Sequence, residues 1–475
     1  MKLVRYISTK RKLAVIGSGP SAFYTILNLL KEKPNDFEID MFEKNPSPFG
    51  LVRYGVAPDH PEVKNCINRF NDIKEFLNNG TFKYFGNTPI STKNSILNLN
   101  DLYKNYNLIL FAYGSSIPNL PINFKNLNHF GIIDSFSLVN WYNNNSNFKN
   151  LNLPFEKIKN LSIIGNGNVS IDITRLLLNN NLNYLKNTDI SENILNKLTK
   201  SDIKNINIIA RRGILESKFS NKELRELLEM DEKFGIYFTG YNLNDFKDQL
   251  NDIKLDRINK RRISLLNKYM EKFQNLKDKS KIRKTWNLQY LKDPIGVKIK
   301  DNELLSETIF KENKLIKNVE NNNWEIKSTN KLISIPNDFL ILSTGYKNQP
   351  LLDFENFNIP FKNNKIENIN GKIIGVKNSY CVGWISNGSN GNINDSLIDS
   401  INTSNSIIND LNNDDTNFVE KKGRIEIQDK LLKNRAKIIT WNDWIKIHEL
   451  EKSNGEKLGK PYEKLDFNEM IDYVN

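Results

Sequence analysis

Residues 12–22 read Lys12-Leu13-Ala14-Val15-Ile16-Gly17-Ser18-Gly19-Pro20-Ser21-Ala22. The apolar run that ends at Gly17 predicts a buried parallel strand, and the G-x-G-x-x-A pattern predicts a tight turn into a helix over 22–31. A second predicted strand, 38–42, leads to Glu43, 26 residues after Gly17. Gly17 permits the turn, Gly19 lets backbone N–H groups approach a pyrophosphate, and Glu43 can accept hydrogen bonds from a ribose. The stretch therefore predicts a dinucleotide-binding site.

A second unit of the same kind follows in the middle of the chain. The apolar run 161–164 ends in Gly165-Asn166-Gly167-Asn168-Val169-Ser170, where Ser170 replaces the third glycine. The next predicted strand, 205–210, ends in Arg211-Arg212, a position at which NAD sites carry an acid. Two guanidiniums there suit a 2′-phosphate and predict NADP(H). The alternative is a structural role, in which the arginines pair with glutamates of the predicted helix 222–229.

Two dinucleotide sites in one chain favour FAD on one and NAD(P)H on the other, with hydride passing between them. Predicted strands at 108–112 and 339–343 flank the second unit and indicate where the chain crosses between domains. The predicted fold class is therefore α/β with two Rossmann-like domains, the NADP domain being inserted into a discontinuous FAD domain. The expected boundaries are 11–115 and 335–475 for the FAD domain and 116–334 for the NADP domain.

The composition limits the chemistry. The 475 residues include 68 Lys+Arg and 55 Asp+Glu, so the formal net charge is +13, with 3 His and 2 Cys. Two cysteines cannot build a disulfide framework, a zinc finger or an iron–sulfur cluster, so a bound cofactor must carry any redox chemistry, and no metal site is expected. The positive charge is compatible with nucleic acid, an acidic protein, an anionic membrane or a lysine-rich genome.

The first residues are basic and carry no acid before Glu32. This composition is typical of a mitochondrial presequence, which we expect over residues 1–10. The alternative is a few solvated basic residues at a terminus. No apolar stretch approaches the ~18 residues that a membrane-spanning helix needs.

The segment 48–65, Pro-Phe-Gly-Leu-Val-Arg-Tyr-Gly-Val-Ala-Pro-Asp-His-Pro-Glu-Val-Lys-Asn, is long and distinctive. It resembles the signature of the NADPH:adrenodoxin (mitochondrial ferredoxin) oxidoreductase family, and the chain resembles a fungal-like member. Shorter similarities follow in the family's order: Gly165-Asn166-Gly167-Asn168-Val169, Ala210-Arg211-Arg212, 221–226, Gly383-Trp384-Ile385, Trp441-Asn442-Asp443-Trp444 and Gly459-Lys460-Pro461. The resemblance extends over nearly the whole chain.

The resemblance implies electron transfer from NADPH through FAD to an acidic 2Fe–2S ferredoxin, because nicotinamide gives two electrons and the cluster accepts one. By motif position, the implied FAD contacts are Gly17, Gly19, Ser21, Glu43, Leu51, Thr88, Trp384, Gly391, Asn392 and Ile393. The implied NADPH contacts are Asn166, Gly167, Asn168, Val169, Arg211, Arg212, Glu223 and Gly391. His60 and Asp172 are the titratable residues expected nearest the flavin, either as a proton relay or as residues that only hold loops.

Some positions depart from the family pattern near the expected flavin. Ser21-Ala22 replaces Ala-Gly, and Ser386-Asn387 stands where the family usually has a basic pair. Asn392 replaces the valine of a Gly-Val-Ile sequence and is followed by Asn394. The Asn392 side chain is expected either to bond to the flavin or to point to solvent. A helix is expected from about Asp395, and in flavoproteins with two dinucleotide sites this last helix points its N-terminus at the flavin ring.

A basic cluster on a predicted helix, Arg257, Lys260, Arg261 and Arg262, is implied to receive the acidic ferredoxin; the alternative is a solvated helix face. No aromatic residues interleave with the cluster, which weakens nucleic-acid binding. The rival functions are another two-nucleotide flavoenzyme, such as a monooxygenase, and a basic nucleic-acid-binding or scaffold protein.

The resemblance further implies that the protein lies in the mitochondrial matrix or at the matrix face of the inner membrane, with peripheral membrane contact. It implies a supply of electrons for iron–sulfur cluster, haem A and ubiquinone synthesis or for P450 reactions.

Overall fold

The computed structural model of the chain describes residues 10–122, 124–318, 320, 322–413 and 419–474. Apart from Lys10, the targeting segment expected over residues 1–10 lies outside the described residues. Within the described ranges, no helix is both long enough and apolar enough to cross a membrane.

The strands, numbered in chain order, are β1 Arg11–Ile16, β2 Phe37–Phe42, β3 Phe82–Phe85, β4 Leu108–Phe111, β5 Ile117–Pro118, β6 Ile132–Asp134, β7 Asn160–Ile164, β8 Asn205–Ile209, β9 Ile236–Gly240, β10 Lys284–Gln289, β11 Lys292–Ile299, β12 Leu305–Lys317, β13 Trp324–Pro336, β14 Phe339–Leu342, β15 Tyr346–Lys347, β16 Phe361–Lys362, β17 Lys365–Ile366, β18 Asn368–Ile369, β19 Lys372–Ile373 and β20 Ser379–Cys381.

The α-helices are α1 Pro20–Glu32, α2 Leu51–Tyr54, α3 Pro61–Lys64, α4 Cys66–Phe70, α5 Leu99–Asn105, α6 Ser135–Tyr142, α7 Asn168–Leu178, α8 Leu182–Leu185, α9 Glu192–Thr199, α10 Asn221–Leu228, α11 Met230–Phe234, α12 Lys247–Asp252, α13 Arg257–Gln274, α14 Trp384–Asn387, α15 Ile393–Asn413, α16 Arg424–Lys433, α17 Trp441–Lys457 and α18 Phe467–Val474. Short 3-10 helices lie at Asn71–Phe76, Ser146–Phe148, Phe155–Lys157, Ile214–Glu216, Leu243–Phe246, Lys279–Lys281 and Glu355–Phe357.

The chain divides into two compact units. Unit 1 holds the described residues of Met1–Ile117, Asn143–Ser146 and Tyr346–Asn475, and unit 2 holds those of Pro118–Tyr142 and Asn147–Gly345. Unit 2 is therefore inserted into unit 1, as the sequence predicts.

Unit 1 is built on a seven-stranded sheet with the order β18-β19-β20-β4-β1-β2-β3. The strands from β20 to β3 run parallel, and β18 and β19 extend the sheet antiparallel. Leu13 and Val15 belong to one core cluster and Ala14 and Ile16 to another, because successive side chains of a strand point to opposite faces. Both faces of the sheet are thus covered, and β1 ends at the middle of its carboxyl edge.

Unit 2 repeats this arrangement. Its six-stranded parallel sheet has the order β6-β14-β7-β8-β10-β9, and β11, β12 and β13 form a separate antiparallel sheet. Ile163 joins a core cluster with residues of α7 and α10, whereas Ile164 clusters with Phe310 of β12. The central strand β7 therefore holds its glycine turn at the carboxyl edge, as β1 does in unit 1.

The structure confirms the fold class and corrects one placement. The strand predicted at 339–343 was expected inside the FAD-domain segment 335–475, but β14 pairs with β7 and belongs to unit 2, whose last residue is Gly345. The physical reason is the glycine turn of unit 2, which needs a neighbouring strand on the far side of β7 to close against. β14 supplies that strand, as β4 does for β1.

Candidate functional site

The first glycine turn is closed by backbone contacts. Gly17 has a φ of +101°, which favours glycine, and its N–H donates to the carbonyl of Phe42 at 2.8 Å. A Cβ at Gly17 would lie 2.6 Å from the carbonyl oxygen of Ala112, just after β4. A side chain would therefore collide with the neighbouring strand, so the turn needs glycine.

Helix α1 begins directly after this turn with its peptide donors facing outward. Gly19 is the N-cap, and in the described structure no side chain caps the helix and no acid stands in its first turn. First-turn N–H groups have no acceptor within the helix, and the helix dipole adds partial positive charge there. A Cβ at Gly19 would meet nothing within 4 Å, so the approach is open. These residues fit a pyrophosphate.

Glu43 is fixed against the same turn. Its side chain is buried, and its Oε2 accepts from the Ser18 N–H at 3.0 Å and from the Ser18 hydroxyl at 2.6 Å. Its Oε1 accepts from the N–H of Asn45 at 3.0 Å. A carboxylate has about four lone-pair directions, so acceptor capacity remains for a ribose hydroxyl. The carboxylate both shapes the loop and fits the expected role.

The signature segment lies against the first turn. The N–H of Phe49 donates to the Ser18 carbonyl at 2.9 Å, and a Cβ at Gly50 would lie 3.5 Å from the Cα of Gly19. Gly50 is the N-cap of α2, whose first residue is the half-buried Leu51. The signature segment 48–65 therefore forms one wall of the predicted FAD site.

Residues from distant parts of unit 1 complete this wall. Thr88 is buried, and its N–H donates to the Glu43 carbonyl at 2.7 Å. Ser21 is buried, and Gly383, with a φ of +77°, passes so near its hydroxyl that a Cβ there would overlap it. Trp384 stacks on Tyr346 with ring centroids 5.9 Å apart. Ser21, Thr88 and the 383–384 turn thus lie around one glycine loop.

At the start of α15, Asn392 is exposed and its side chain is bonded to its own helix. Its side-chain oxygen accepts from the N–H of Asn394 at 2.8 Å and from that of Asp395 at 3.3 Å. In return, Asp395 Oδ2 accepts from the N–H of Asn392 at 2.7 Å. This is a reciprocal helix cap, so the Asn392 oxygen is engaged by its own helix. Gly391 is exposed, and Ile393 is half-buried.

The two expected titratable residues have partners in their own units. His60 in unit 1 is buried, and its Nδ1 lies 3.2 Å from Glu62 Oε1. Asp172 in unit 2 lies on α7, and its Oδ1 accepts from Arg175 Nη2 at 2.9 Å. These contacts orient both side chains. A proton-relay role for either residue stays a prediction.

The second glycine turn repeats the first. Gly165 has a φ of +121°, its N–H donates to the carbonyl of Ile209 at 2.8 Å, and a Cβ there would overlap the carbonyl of Ser343. Ser170, which replaces the third glycine, donates its hydroxyl to the Gly165 carbonyl at 2.7 Å. Gly167 is the N-cap of α7, which has no side-chain cap and no first-turn acid among the described residues. This helix start also fits a pyrophosphate.

Asn166 and Asn168 have side chains that hold a neighbouring segment, residues 217–221. Asn166 donates from Nδ2 to the Ser217 hydroxyl at 3.2 Å, and its carbonyl accepts from the N–H of Lys218 at 3.0 Å. Asn168 Oδ1 accepts from the N–H of Ser220 at 2.8 Å. Residues 165–170, the nucleotide loop below, are therefore fastened to the 217–221 segment. The sequence pattern assigned these asparagines to the cofactor and missed this role.

Arg211 and Arg212 are both exposed, directly after β8. The glutamates that were the alternative partners face Arg175 instead, with Glu223 Oε2 at 3.4 Å and Glu226 Oε2 at 4.0 Å from its Nη1. Within the described part of the chain, neither Arg211 nor Arg212 forms an ion pair with these acids. Their guanidiniums thus fit an incoming phosphate, and phosphate binding stays a prediction.

The expected docking cluster divides on α13. Arg257, Lys260 and Arg261, named the basic face below, are exposed, but Arg262 is only 6% exposed. Arg262 donates to Asn259 Oδ1 at 2.9 Å and to the carbonyl of Phe219 at 3.2 Å, and burial lowers its pKa. Arg262 precedes the fully buried Leu266 by four residues, so both lie on the inward face of the helix. The prediction that Arg262 receives a partner is therefore wrong.

Comparison with known proteins shows which family the chain belongs to. No family model matches the chain. The protein called "Probable NADPH:adrenodoxin oxidoreductase, mitochondrial" of Saccharomyces cerevisiae is 33% identical, with 98% of each chain covered. The protein of the same name from Schizosaccharomyces pombe is 34% identical, with 96% of this chain and 94% of the relative covered. The chain belongs to the NADPH:adrenodoxin oxidoreductase family.

Solved structures agree with this membership. The structure "Mycobacterium tuberculosis FprA in complex with NADPH" superposes with a TM-score of 0.85 at 27% identity, covering 98% of this chain and 99% of that one. The NADPH-ferredoxin reductase FprA of Mycobacterium tuberculosis is 28% identical over 95% of this chain. The expected enzyme class, an NADPH-dependent flavoprotein oxidoreductase, and the expected cofactors, FAD and NADP(H), are those of the NADPH:adrenodoxin oxidoreductase family and are confirmed.

The sequence patterns missed one buried ion pair of unit 1. Arg53, inside the signature, donates to Glu451 Oε1 on α17 at 2.6 Å, and both side chains are buried. Burial alone lowers the pKa of Arg53, but the Glu451 carboxylate raises it above its ordinary value. Glu451 also accepts from the N–H of Leu465 at 2.9 Å. The partners lie 398 residues apart, so no local pattern points to the pair, although an arginine within an apolar motif is a signal that it needs one.

Proposed function

We propose that this chain carries electrons from NADPH, through bound FAD, to an acidic 2Fe–2S ferredoxin of the adrenodoxin type. The observation that carries the proposal is that two similar glycine turns have different side chains beside them. These side chains come directly after β2 in unit 1 and shortly after β8 in unit 2. Glu43 is buried beside the first turn, and Arg211 and Arg212 are exposed beside the second. An acid suits a ribose, and a pair of guanidiniums suits a 2′-phosphate.

The two units take different cofactors in this proposal. Unit 1 is the FAD domain, with Gly17, Gly19, Ser21, Glu43, Leu51, Thr88, Trp384, Gly391, Asn392 and Ile393 as its contacts. Unit 2 is the NADP domain, with Asn166, Gly167, Asn168, Val169, Arg211, Arg212 and Glu223 as its contacts. Support comes from the open first turns of α1 and α7, where a Cβ at Gly19 or Gly167 would meet nothing within 4 Å.

The chain's own residues would bind the two cofactors and orient them. FAD, when bound, supplies the conversion between the two-electron donor NADPH and a one-electron acceptor. The starts of α1 and α7 offer N–H groups and partial positive charge to the pyrophosphates. Glu43 would accept from the FAD ribose, and Arg211 and Arg212 would hold the 2′-phosphate. His60 and Asp172 are proposed to lie nearest the flavin, where a histidine can hold or move a proton near neutral pH.

The basic face of α13 is the proposed docking site for ferredoxin. Arg257, Lys260 and Arg261 are exposed there within two turns of one helix. Such a face steers an acidic protein by long-range attraction and holds it briefly, so binding weakens with salt.

The proposal extends to the cellular setting. Relatives carry the word mitochondrial in their names, which supports a mitochondrial protein; we propose the matrix or the matrix face of the inner membrane, with peripheral membrane contact. The processes served are proposed to be iron–sulfur cluster, haem A and ubiquinone synthesis or P450 reactions.

The test begins with the purified holoenzyme. We expect flavin absorbance bands and NADPH-dependent reduction of cytochrome c that depends strongly on added ferredoxin. A colourless protein would overturn the proposal. NADPH oxidation that ignores ferredoxin and hydroxylates a substrate would make the protein a monooxygenase instead.

A charge reversal separates docking from chemistry. Arg257→Glu combined with Arg261→Glu should slow ferredoxin-linked turnover and spare ferricyanide reduction, since both side chains are exposed. Lys268→Glu, at an exposed position of the same helix, is the matched control. If ferricyanide reduction falls in parallel with ferredoxin turnover, the basic face is structural.

A further inference from the structure

Arg262 lies between the basic face and the nucleotide loop. It belongs to α13, yet its guanidinium turns inward, donating to the Phe219 carbonyl at 3.2 Å and lying 5.3 Å from the centre of the Phe219 ring. Both residues are buried, at 6% and 1% exposure. A buried cation loses its hydration, so its bonds to the protein must replace what water gave. Arg262 therefore holds the 217–221 segment against α13.

A second bond joins the same two elements. Asn221 donates from Nδ2 to the carbonyl of Ile258 at 3.0 Å, in the first turn of α13. The Asn259 side chain, which accepts from Arg262, is itself oriented by Asp256, whose Oδ2 accepts from Asn259 Nδ2 at 3.1 Å. The 217–221 segment is thus bonded to the helix turns that carry Arg257, Lys260 and Arg261.

The other edge of the segment is bonded to the nucleotide loop. The contacts are those of Asn166 with Ser217 and Lys218, and of Asn168 with Ser220. Ser217 is fixed further by the Tyr290 hydroxyl at 3.1 Å. Five consecutive residues thus have one side on the loop that would bind pyrophosphate and the other on the helix that would bind ferredoxin. All of these residues belong to unit 2.

We propose that Arg262 is a positioning residue that joins the nucleotide loop to helix α13, which carries the basic face, so that NADP(H) and ferredoxin each change the affinity of the protein for the other. The inference rests on the proposed function, because it takes its two ligands from there. A ligand that orders one edge of the 217–221 segment orders the other edge through the Arg262–Phe219 contact. By linkage the two ligands must influence each other by the same factor.

The test measures that factor in the holoenzyme. NADP+ is titrated with and without saturating oxidised ferredoxin, and ferredoxin with and without saturating NADP+, by calorimetry and by the perturbation of the flavin spectrum. In the wild type we expect the two ratios of dissociation constants to agree and to differ from one by about five-fold or more. A ratio of one in a protein that binds both ligands overturns the inference and leaves the proposed function standing. If the wild type binds neither ligand, the proposed function fails as well.

Variants locate the connection. Arg262→Met should move the ratio toward one, because it removes both Arg262 bonds, keeps the side-chain length and leaves the Asn221–Ile258 bond in place. Arg262→Lys should restore part of the wild-type ratio. Asn259→Ala, which removes one bond and less bulk, serves if Arg262→Met does not fold. Lys268→Met, an exposed cation of the same helix whose Nζ lies 5.6 Å from the Tyr269 ring centre, should keep the wild-type ratio. An unchanged ratio in both Arg262→Met and Asn259→Ala would overturn the inference.

Discussion

The two glycine turns share one backbone design and differ in the side chains beside it. Gly17 and Gly165 both have positive φ angles and both donate an N–H at 2.8 Å to the last residue of the second strand. Each lies against the residue just after a flanking strand, β4 in unit 1 and β14 in unit 2. The common backbone explains why both loops fit a pyrophosphate.

The difference appears one strand later. Glu43 is buried and accepts two hydrogen bonds from Ser18 and one from Asn45, whereas Arg211 and Arg212 are exposed. A ribose is neutral and can be enclosed, but a 2′-phosphate is a dianion that needs cations at an open edge. We therefore expect the shared backbone to set the class of ligand, and the side chain after β2 or β8 to set which nucleotide is bound.

The largest effect is expected from adding a methyl group to the shared turn. Gly17→Ala and Gly165→Ala should each lower the free energy of unfolding by about 3 kcal/mol, because the positive φ is strained for alanine and the Cβ meets a neighbouring carbonyl. Denaturant unfolding of the holoenzyme, with flavin content read in parallel, measures this.

The matched controls are the second glycines. At Gly19 and Gly167 a Cβ would meet nothing within 4 Å, so alanine there should change the free energy of unfolding by less than about 1 kcal/mol. Each substitution should still weaken binding of the cofactor proposed for its own unit. If Gly17→Ala were as stable as Gly19→Ala, the shared backbone would not be what closes the turn.

The next effect tests the arginine side of the comparison. Arg211→Ala with Arg212→Ala should weaken NADPH binding by about 2–3 kcal/mol in all and change NADH use little. A charge-assisted bond contributes about 1.5–3 kcal/mol, and solvent and salt screen both exposed arginines. The ratio of kcat/KM for the two nucleotides measures it, with Lys268→Ala as the control. An equal loss for NADPH and NADH would show that the pair does not bind the 2′-phosphate.

The sequence predicts these turns well because each is local. Residues 12–22 and 161–170 contain their strand, glycines and helix start within one short segment, so the spacing is enough to predict the order of strand, turn and helix. Arg262 shows the limit. Its neighbours 257, 260 and 261 are exposed, and one further step around the helix turns it inward toward Phe219, 43 residues earlier. The Arg53–Glu451 pair and the placement of β14 likewise depend on contacts between distant segments, which no local pattern records.

A smaller effect tests the glutamate side. Glu43→Gln should weaken FAD binding by about 1–2 kcal/mol, because an amide cannot accept from Ser18 and Asn45 on both of its atoms. The dissociation constant of FAD from reconstituted apoprotein measures this, and NADP+ affinity should not change. Unchanged FAD affinity would mean that neither the Glu43 charge nor its bonds to Ser18 and Asn45 contribute to FAD binding.

The smallest effect concerns the second strands themselves, β2 and β8. β2 buries Asp40, whose Oδ1 lies 2.8 Å from Arg424 Nη2 and whose Oδ2 accepts from Tyr106 at 2.7 Å, whereas β8 buries the neutral Asn207. Burial raises the pKa of Asp40 to about 6, although Arg424 and Tyr106 oppose it. The folded state then binds this proton more tightly than the unfolded chain, whose carboxyl has a pKa of about 3.9.

Stability from Asp40 is therefore greatest below about pH 4 and is lost as the pH rises to about 6, by at most about 1.4 kcal/mol per pH unit. The free energy of unfolding of the wild type, minus that of Asp40→Asn, should fall by about 1–2 kcal/mol across this range in urea titrations. Taking the difference cancels the other carboxyl groups, which titrate in both proteins. A difference that stays constant with pH would mean that Arg424 compensates fully for the burial. Burying the charged Asp40 on β2 would then cost no more free energy of unfolding than burying the neutral Asn207 on β8.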